Sequence, residues 1–441
     1  MANPTAARVF WWLHHKDDDH ETPPGRPASR RTCQARSHLW RQWHSHSPSH
    51  WIRQNFCFDL VTAPDDSILV ALSCRQTLGT VDPTSQLGIV RLHPDGDIDR
   101  DFGSEGFAIH PRDEGFRGIE PYLLPNGSIL VRGDLANVPV IARFNADGSV
   151  DTAFAGEGIR TLDLDEYSLL DVNVVPLDDG RILVLGGAVH KKLGSTDGIV
   201  IRLLANGAFD PSFHGTGLLS VPFRGGPDGN ARSGLPQGDR FVLAGNTESE
   251  ALLRRYLSDG KLDAAFGKNG EYAVPVDDIN VSVMSFVRLL ATKEGKFVAM
   301  GNDGRPHRRG FLVGIDADGH SDAGFAGGQL AQTPTHIGTC LLLDVMFDLS
   351  GKIVVSGIGG DFFAHGFFVG RYTASGVLDE SFGDRGFVYV GFGDANELSR
   401  GFTVQGNRGI LLSGQVVGAD ELNHAIVMRV PHTVGDQNPA E

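Results

Sequence analysis

From Asn55 onward the chain alternates short apolar runs with turn-forming residues, in three signals that recur in a fixed order. The first is a turn followed by an apolar run ending in Gly: NGSILVRG to Gly133, DGRILVLG to Gly186, GDRFVLAG to Gly245, GKFVAMG to Gly301, GKIVVSG to Gly357 and RGILLSG to Gly414. DDSILVAL is a further copy, with Leu72 in place of the Gly. The second signal is an apolar run with a late Arg, which sets Arg91, Arg143, Arg202, Arg255, Arg371 and Arg429 at equivalent positions; the fifth copy, FLVGI, has Gly314 there. The third is a Gly turn, then Asp, then Phe, as in PDGDIDRDFGSEG. Its Asp residues are Asp99, Asp151, Asp210, Asp263, Asp322 and Asp379, and its Phe residues are Phe102, Phe154, Phe213, Phe266, Phe325 and Phe382.

Runs of this length, rich in β-branched residues and bounded by Gly, Asn and Asp, read as strands and hairpins. They are apolar throughout rather than strictly alternating, as strands covered on both faces must be. A helical solenoid would need amphipathic segments of ten residues or more, and none is present. A parallel β-helix would use shorter, more regular rungs. Units of roughly 56 residues repeated seven times predict an all-β fold, a seven-bladed β-propeller spanning residues 55–432. Residues 1–54 and 433–441 are left as tails.

These motifs resemble the delta-60 repeat family, whose pattern runs approximately DGKILVAG, then ARYNADGSLDTSFG with a trailing Gly. The resemblance covers Asn55 to about His432. It implies a propeller and attaches no general activity to it. The fifth-to-sixth joint departs most: Ser321 precedes its Asp, and Gln329 stands where other copies have the trailing Gly.

Each unit reads as an inner strand, the Gly-ended strand, the Arg-bearing strand and an outer strand after the Asp-Phe joint. There are seven inner units but six joints, so the last unit lacks its own outer strand. Either the N-terminal tail supplies an irregular one, or the last blade has three strands and an exposed edge. The second reading is the one expected.

Composition changes near residue 54. All five Trp and seven of the 17 His lie before it, with Gly25 the only Gly. The tail carries eight Lys/Arg against four acids, so +4 of the chain's −15 sits there and the rest carries −19. Its His spacing (His14, His15, His20, His44, His46, His50) matches no metal site, and a disordered leader or a wrongly chosen start is expected. The acidic balance argues against nucleic acid or anionic membrane as partner. No apolar run reaches a membrane-spanning length, and no signal-peptide h-region is visible, so the expected location is cytoplasmic by default. Cys33, Cys57, Cys74 and Cys340 form no CxxC motif and read as free thiols.

The eight-residue interval between Arg and Asp recurs at Arg91/Asp99, Arg143/Asp151, Arg202/Asp210, Arg255/Asp263 and Arg371/Asp379. A ring of ligand-binding charges would have this pattern, but so would a joint locked once per blade by a charge-assisted pair, which is the reading taken. Asp95, Asp97, Asp99 and Asp101 alternate like a calcium loop, yet such a site needs six to eight oxygens, usually ending in a bidentate Glu, and the other copies lack most of these acids. Once-only features are better candidates for function. They are His110–Glu120, Phe223–Arg240, and the loop holding Arg305, His307, Arg308 and Arg309, which could take an anion or a partner. No nucleophile elbow, zincin or P-loop motif occurs.

The expected function is therefore a non-catalytic binding or scaffolding propeller, a monomer without cofactor, for a protein or glycan ligand. The alternative is a metal-dependent hydrolase or lactonase at the central channel. Its ligands would be the inner-strand acids Glu120, Asp171 and Asp344.

Overall fold

The computed structural model describes residues 10–12, 54–75, 85–112, 115–223, 230–247, 250–274, 285–303, 309–334, 339–360, 366–390, 397–417 and 423–431. They form seven four-stranded antiparallel sheets, each a blade. The inner strands are Gln54–Thr62, Phe116–Leu123, Tyr167–Pro176, Asn230–Gln237, Ser285–Ala291, Thr339–Phe347 and Glu397–Gln405. In the first six blades the inner strand leads in sequence order to the Gly-ended, Arg-bearing and outer strands.

The core lies between blades, not within them. Leu69, Ala71, Leu87, Ile89 and Phe102 of the first blade pack with Ile129, Val131, Val140, Ala142 and Phe144 of the second. Their alternate neighbours Ile68, Val70 and Val90 face the other way, onto Leu411 and Val427 of the seventh. Both faces of the second and third strands are thus covered, which is why their runs are continuously apolar.

The Gly late in the second strand of every blade but the first also has a cause. Every inner strand has a register shift midway, between Ala231 and Ser233 in the fourth blade and between Phe286 and Arg288 in the fifth, for example. The shift brings an inner-strand carbonyl close to the second strand. A Cβ on Gly245, Gly301 or Gly357 would lie 1.9–2.4 Å from the carbonyl oxygen of Asn230, Ser285 or Leu341.

The Arg–Asp–Phe signal is a joint between blades. Arg Nε donates to Asp Oδ2 at 2.6–2.8 Å in the five Arg-bearing copies. The guanidinium lies 4.5–4.7 Å from the centroid of the Phe ring in each. From there Arg91, Arg143 and Arg255 donate to the turn carbonyls of Ala146, Ala205 and Ala317 in the next blade. The amide after the Phe does the same: Gly103, Ala155, Gly267 and Ala326 donate to Asp147, Asn206, Asp318 and Ser375. The turn Gly of the next blade lies under the Phe. Gly148 and Gly207 have φ near +88° and +79°, and a Cβ on either would strike Phe102 or Phe154.

In the fifth blade a Cβ at Gly314 would collide with Phe325, so no Arg fits there, and Lys296 Nζ supplies the cation to Asp322 at 2.7 Å. This joint alone among the described ones contains a 3-10 turn, Ala326–Gly328, but it keeps the length of the others: Leu312 pairs with Ala331 as Ile89 does with Ala108.

Ring closure differs from expectation. The seventh blade is not three-stranded: Phe10–Trp12 adds a fourth strand, with Phe10 opposite Met428 and Trp12 opposite Ile426. The edge that the missing joint leaves open still offers free backbone N–H and C=O groups, and a short extended segment satisfies them. The seventh and first blades also meet directly. Arg429 Nη2 donates to Pro94 O, the counterpart of Ala146, and to Gln405 Oε1. Gln405 Nε2 donates to Asp66 O at 2.6 Å, and Ser413 Oγ to Phe58 O at 2.6 Å.

Among the described residues no helix is long and apolar enough to cross a membrane. Residues 433–441 lie outside the described residues.

Candidate functional site

At or just past the register shift of each inner strand, the blades present Asp59, Glu120, Asn173, Ser233, Arg288, Asp344 and Gly401 at one level. The cross-strand pairs Glu120–Arg132, Asn173–Leu185, Ser233–Ala244, Arg288–Met300, Asp344–Ser356 and Gly401–Ser413 fix that equivalence. Inner strands adjoin one another around the axis, so these residues form a hub. In an otherwise repeated scaffold, this level holds three acids and a cation among neutral residues.

The hub is built by long-range contacts. Arg288 Nε donates to Asp344 Oδ1 at 3.1 Å, linking the fifth and sixth blades. Asp59 fills the space of an absent side chain, since a Cβ on Gly401 of the seventh blade would lie 1.8 Å from its Oδ1. Arg132 Nη1 stands 3.8 Å from Glu120 Oε2, and Tyr122 OH accepts from Val174 N–H at 3.4 Å. Water still reaches the hub: the side chains of Glu120, Arg132, Arg288 and Asp344 keep 13–28% of their surface.

Burial and crowding set the charges. Burial, then the neighbouring Glu120 and Asp344, push the Asp59 carboxyl well above the usual range. Burial also raises Asp344, despite Arg288 beside it. Burial works against the Arg288 charge, but Asp344 and Glu120 outweigh it and its pKa lies above the ordinary value. Tyr122 is pushed up by burial and by Glu120.

Of the inner-strand acids anticipated from sequence, Glu120 and Asp344 meet in this hub. The Asp171 backbone lies at the irregularity between Leu169 and Val172, and its side chain is outside the described residues. Among the described residues no three His, Cys, Asp or Glu side chains come together in a way that could hold a metal ion. Asp59, Arg288, Arg132 and Tyr122 escaped the sequence reading. Counting back seven from the turn Gly (Gly127, Gly295 and Gly351, with Asp66 in its place in the first blade) would have aligned Asp59 and Arg288 with Glu120 and Asp344.

The once-only loops are placed as follows. His110 is buried, its Nε2 3.0 Å from Glu157 O in the next blade. Arg309 is held at the loop's end, with Nε and Nη2 on Thr333 O and its N–H on Asp303 Oδ1. Arg305, His307 and Arg308 lie outside the described residues, as do residues 224–229. Of the alternating acids near Asp99, Asp95 accepts from Asp97 N–H, whereas Asp99 accepts from Arg91 and from Asp101 N–H. Cys340 is a free, buried thiol 3.2 Å from Thr333 Oγ1.

Residues 124–154 and 177–213 match the profile of a family described as "Domain of unknown function (DUF5122) beta-propeller". No curated protein matches the chain. Among solved structures, it is similar to the β-propeller domain of the trilobed protease from Pyrococcus furiosus, at 10% identity and TM-score 0.43, covering 88% of this chain and all of that one. A Pyrococcus horikoshii acylaminoacyl peptidase gives 10% identity and TM-score 0.43 over 88% of this chain, which spans about half (53%) of the peptidase's length. Drosophila Plexin A, in complex with Semaphorin 1b, gives 9% identity and TM-score 0.41, with coverage of 87% and 88%. At 9–10% identity these likenesses concern architecture alone.

Proposed function

We propose that the chain is a non-catalytic binding propeller of the delta-60 repeat type, a rigid scaffold that receives a protein or glycan ligand. The contrast between its two faces carries this reading. One face consists of the inner hairpin turns and the Arg–Asp–Phe joints, whose polar groups bond to the next blade. The opposite face consists of the connections between second and third strands and the returns to each inner strand. Its spans range from Leu135–Val138 to Val274–Ser285, and the once-only stretches near His110, Phe223 and Arg309 all fall on it. Variable loops on a fixed frame are where propellers and other repeat folds recognise ligands.

A hydrolase at the hub is the competing reading, favoured by the grouping of Asp59, Glu120 and Asp344. Against it, Asp344 is bonded to Arg288, and Arg132 stands beside Glu120. Incubating the full chain with p-nitrophenyl acetate and γ-butyrolactone, with Ca²⁺, Mn²⁺ or Zn²⁺ added, tests the choice. The expected result is no turnover above that of the Glu120→Gln and Asp344→Asn variants. Metal-dependent turnover abolished by either substitution would overturn the proposal.

A further inference from the structure

The strand that completes the seventh blade takes the place of an outer strand without being one. In the first, second, third and sixth blades, the residue before the repeated Arg pairs with the first residue of the outer strand. The pairs are Val90 with Phe107, Ala142 with Ile159, Ile201 with Leu218 and Gly370 with Phe387. In the seventh, Met428 precedes Arg429 and pairs with Phe10. A segment with no repeat signature thus falls in the register of the repeated outer strands. The edge of Asn423–Val430 takes an extended apolar segment in that register wherever it comes from in the chain.

The position opposite Met428 has a definite apolar preference. Its counterparts Phe107 and Phe387 are 5% and 1% exposed and pack on the preceding blade. Phe107 lies with Leu411 and Val427 of the seventh blade, and Phe387 with Met300 and Phe325 of the fifth. Met428 itself packs with Val354, Phe367 and Phe382 of the sixth. A residue docked opposite Met428 shares that face, so a Phe or a branched aliphatic suits it.

The tether is what differs. In the other blades a joint bonded to its neighbour leads straight into the outer strand. Phe10–Trp12 follows no joint, and 41 residues, 13–53, separate it from Gln54. A tether of that length holds its end at an effective concentration of roughly 1 mM. Three paired residues so tethered yield to a competing strand that pairs over more, as Leu218–Pro222 pairs over five. The segment is not needed to close the ring, because Arg429, Gln405 and Ser413 bond the seventh blade to the first. Charge adds a second criterion. Arg8 and Lys16 flank the apolar run Val9–Leu13, and residues 1–54 carry +4 against −19 for the remainder.

We propose that the outer edge of the seventh blade is a docking site for an extended peptide of a partner protein, and that Phe10–Trp12 is its displaceable internal occupant. The peptide carries Phe or an aliphatic residue opposite Met428 and basic residues at its ends. This site lies on the circumference, apart from the variable loops, and goes beyond the reading above.

Fluorescence anisotropy on the full chain, with a fluorescein-labelled peptide of residues Arg8–Lys16 as probe, tests it. Trp11→Pro removes a backbone N–H from the internal strand and vacates the edge. The probe should bind that variant, one per chain, with a Kd of about 100 μM or below, and wild type about tenfold more weakly or worse. Amide exchange at Val427 should quicken in the variant and slow again when the probe is added. The same peptide with Pro in place of Trp11 should bind neither chain. Compared on wild type, it keeps the test open if Trp11→Pro folds poorly. Equal affinity for the two chains, equal binding of the Pro peptide, or no binding to Trp11→Pro at ~1 mM would overturn the inference. So would peptide-sensitive dimers of the wild-type chain in native mass spectrometry, which would seat a second copy on the edge in place of a partner.

Discussion

Arg255 offers the sharpest perturbation of the joint, because it is the most buried of the repeated arginines whose bonds are fully described. It is 3% exposed, donates to Asp263 Oδ2 at 2.8 Å, Gln237 Oε1 at 3.0 Å and Ala317 O at 2.7 Å, and covers the Phe266 ring at 4.6 Å. Arg255→Met keeps most of the volume and removes the charge and all three bonds. Removing one partner of a buried ion pair costs about 3–5 kcal/mol, chiefly by leaving the other charge uncompensated. Asp263 would keep Arg240 at 3.3 Å, but that side chain is 42% exposed and is screened by solvent. The expected loss therefore lies near the lower end, about 3 kcal/mol. Urea unfolding followed by fluorescence reads it as a lowered midpoint at unchanged slope. Amide exchange at Gly267, whose N–H bonds to Asp318 O across the blade boundary, should accelerate in parallel. Asp263→Asn should behave similarly, and the double variant should lose well under the sum of the two. A loss below ~1 kcal/mol, the range of exposed pairs, would refute the view that the joint holds the ring.

Three other outcomes are expected. Asp59→Asn should stabilise the chain near neutral pH. A carboxyl whose folded pKa is raised favours folding in acid, and that contribution fades as pH rises through the folded value. The variant's melting temperature should therefore exceed wild type at about pH 8, and the gap should close toward about pH 4. Gly401→Ala should lose ~1–3 kcal/mol in a thermal melt, since its Cβ would press on the Asp59 carboxylate, and Asp59→Ala in the same chain should recover part of that loss. A chain beginning at Gln54 should remain closed and monodisperse in light scattering, because Arg429, Gln405 and Ser413 join the seventh blade to the first without Phe10–Trp12.

Much of the scaffold was readable from the chain because its causes are local and repeated. The Gly late in the second strand answers an inner-strand carbonyl at Gly245, Gly301 and Gly357, and the Arg–Asp interval spans one joint, so both leave regular marks. The fifth joint was legible as an irregularity, but not as a substitution of Lys296 for the missing Arg, because Lys296 lies on a different strand from Gly314. Ring closure was misjudged for a similar reason. Phe10–Trp12 carries no repeat signature, and its pairing with residues 426–428 spans nearly the whole chain. The hub fell between these cases. Glu120 and Asp344 were visible as acids in apolar strands, whereas Arg288 looked like one polar residue among others until the register placed it beside Asp344.

On this account the rim joints hold the ring, and the Arg288–Asp344 pair of the hub adds little to its stability. The double variant Arg288→Met with Asp344→Leu tests that division without any ligand. Replacing a buried ion pair with apolar groups of similar size is often neutral or stabilising, by about 1–4 kcal/mol. A melting temperature at or above wild type is the predicted result, opposite in sign to Arg255→Met. A loss as large as that of Arg255→Met would mean that the hub is scaffold too, and would contradict the account.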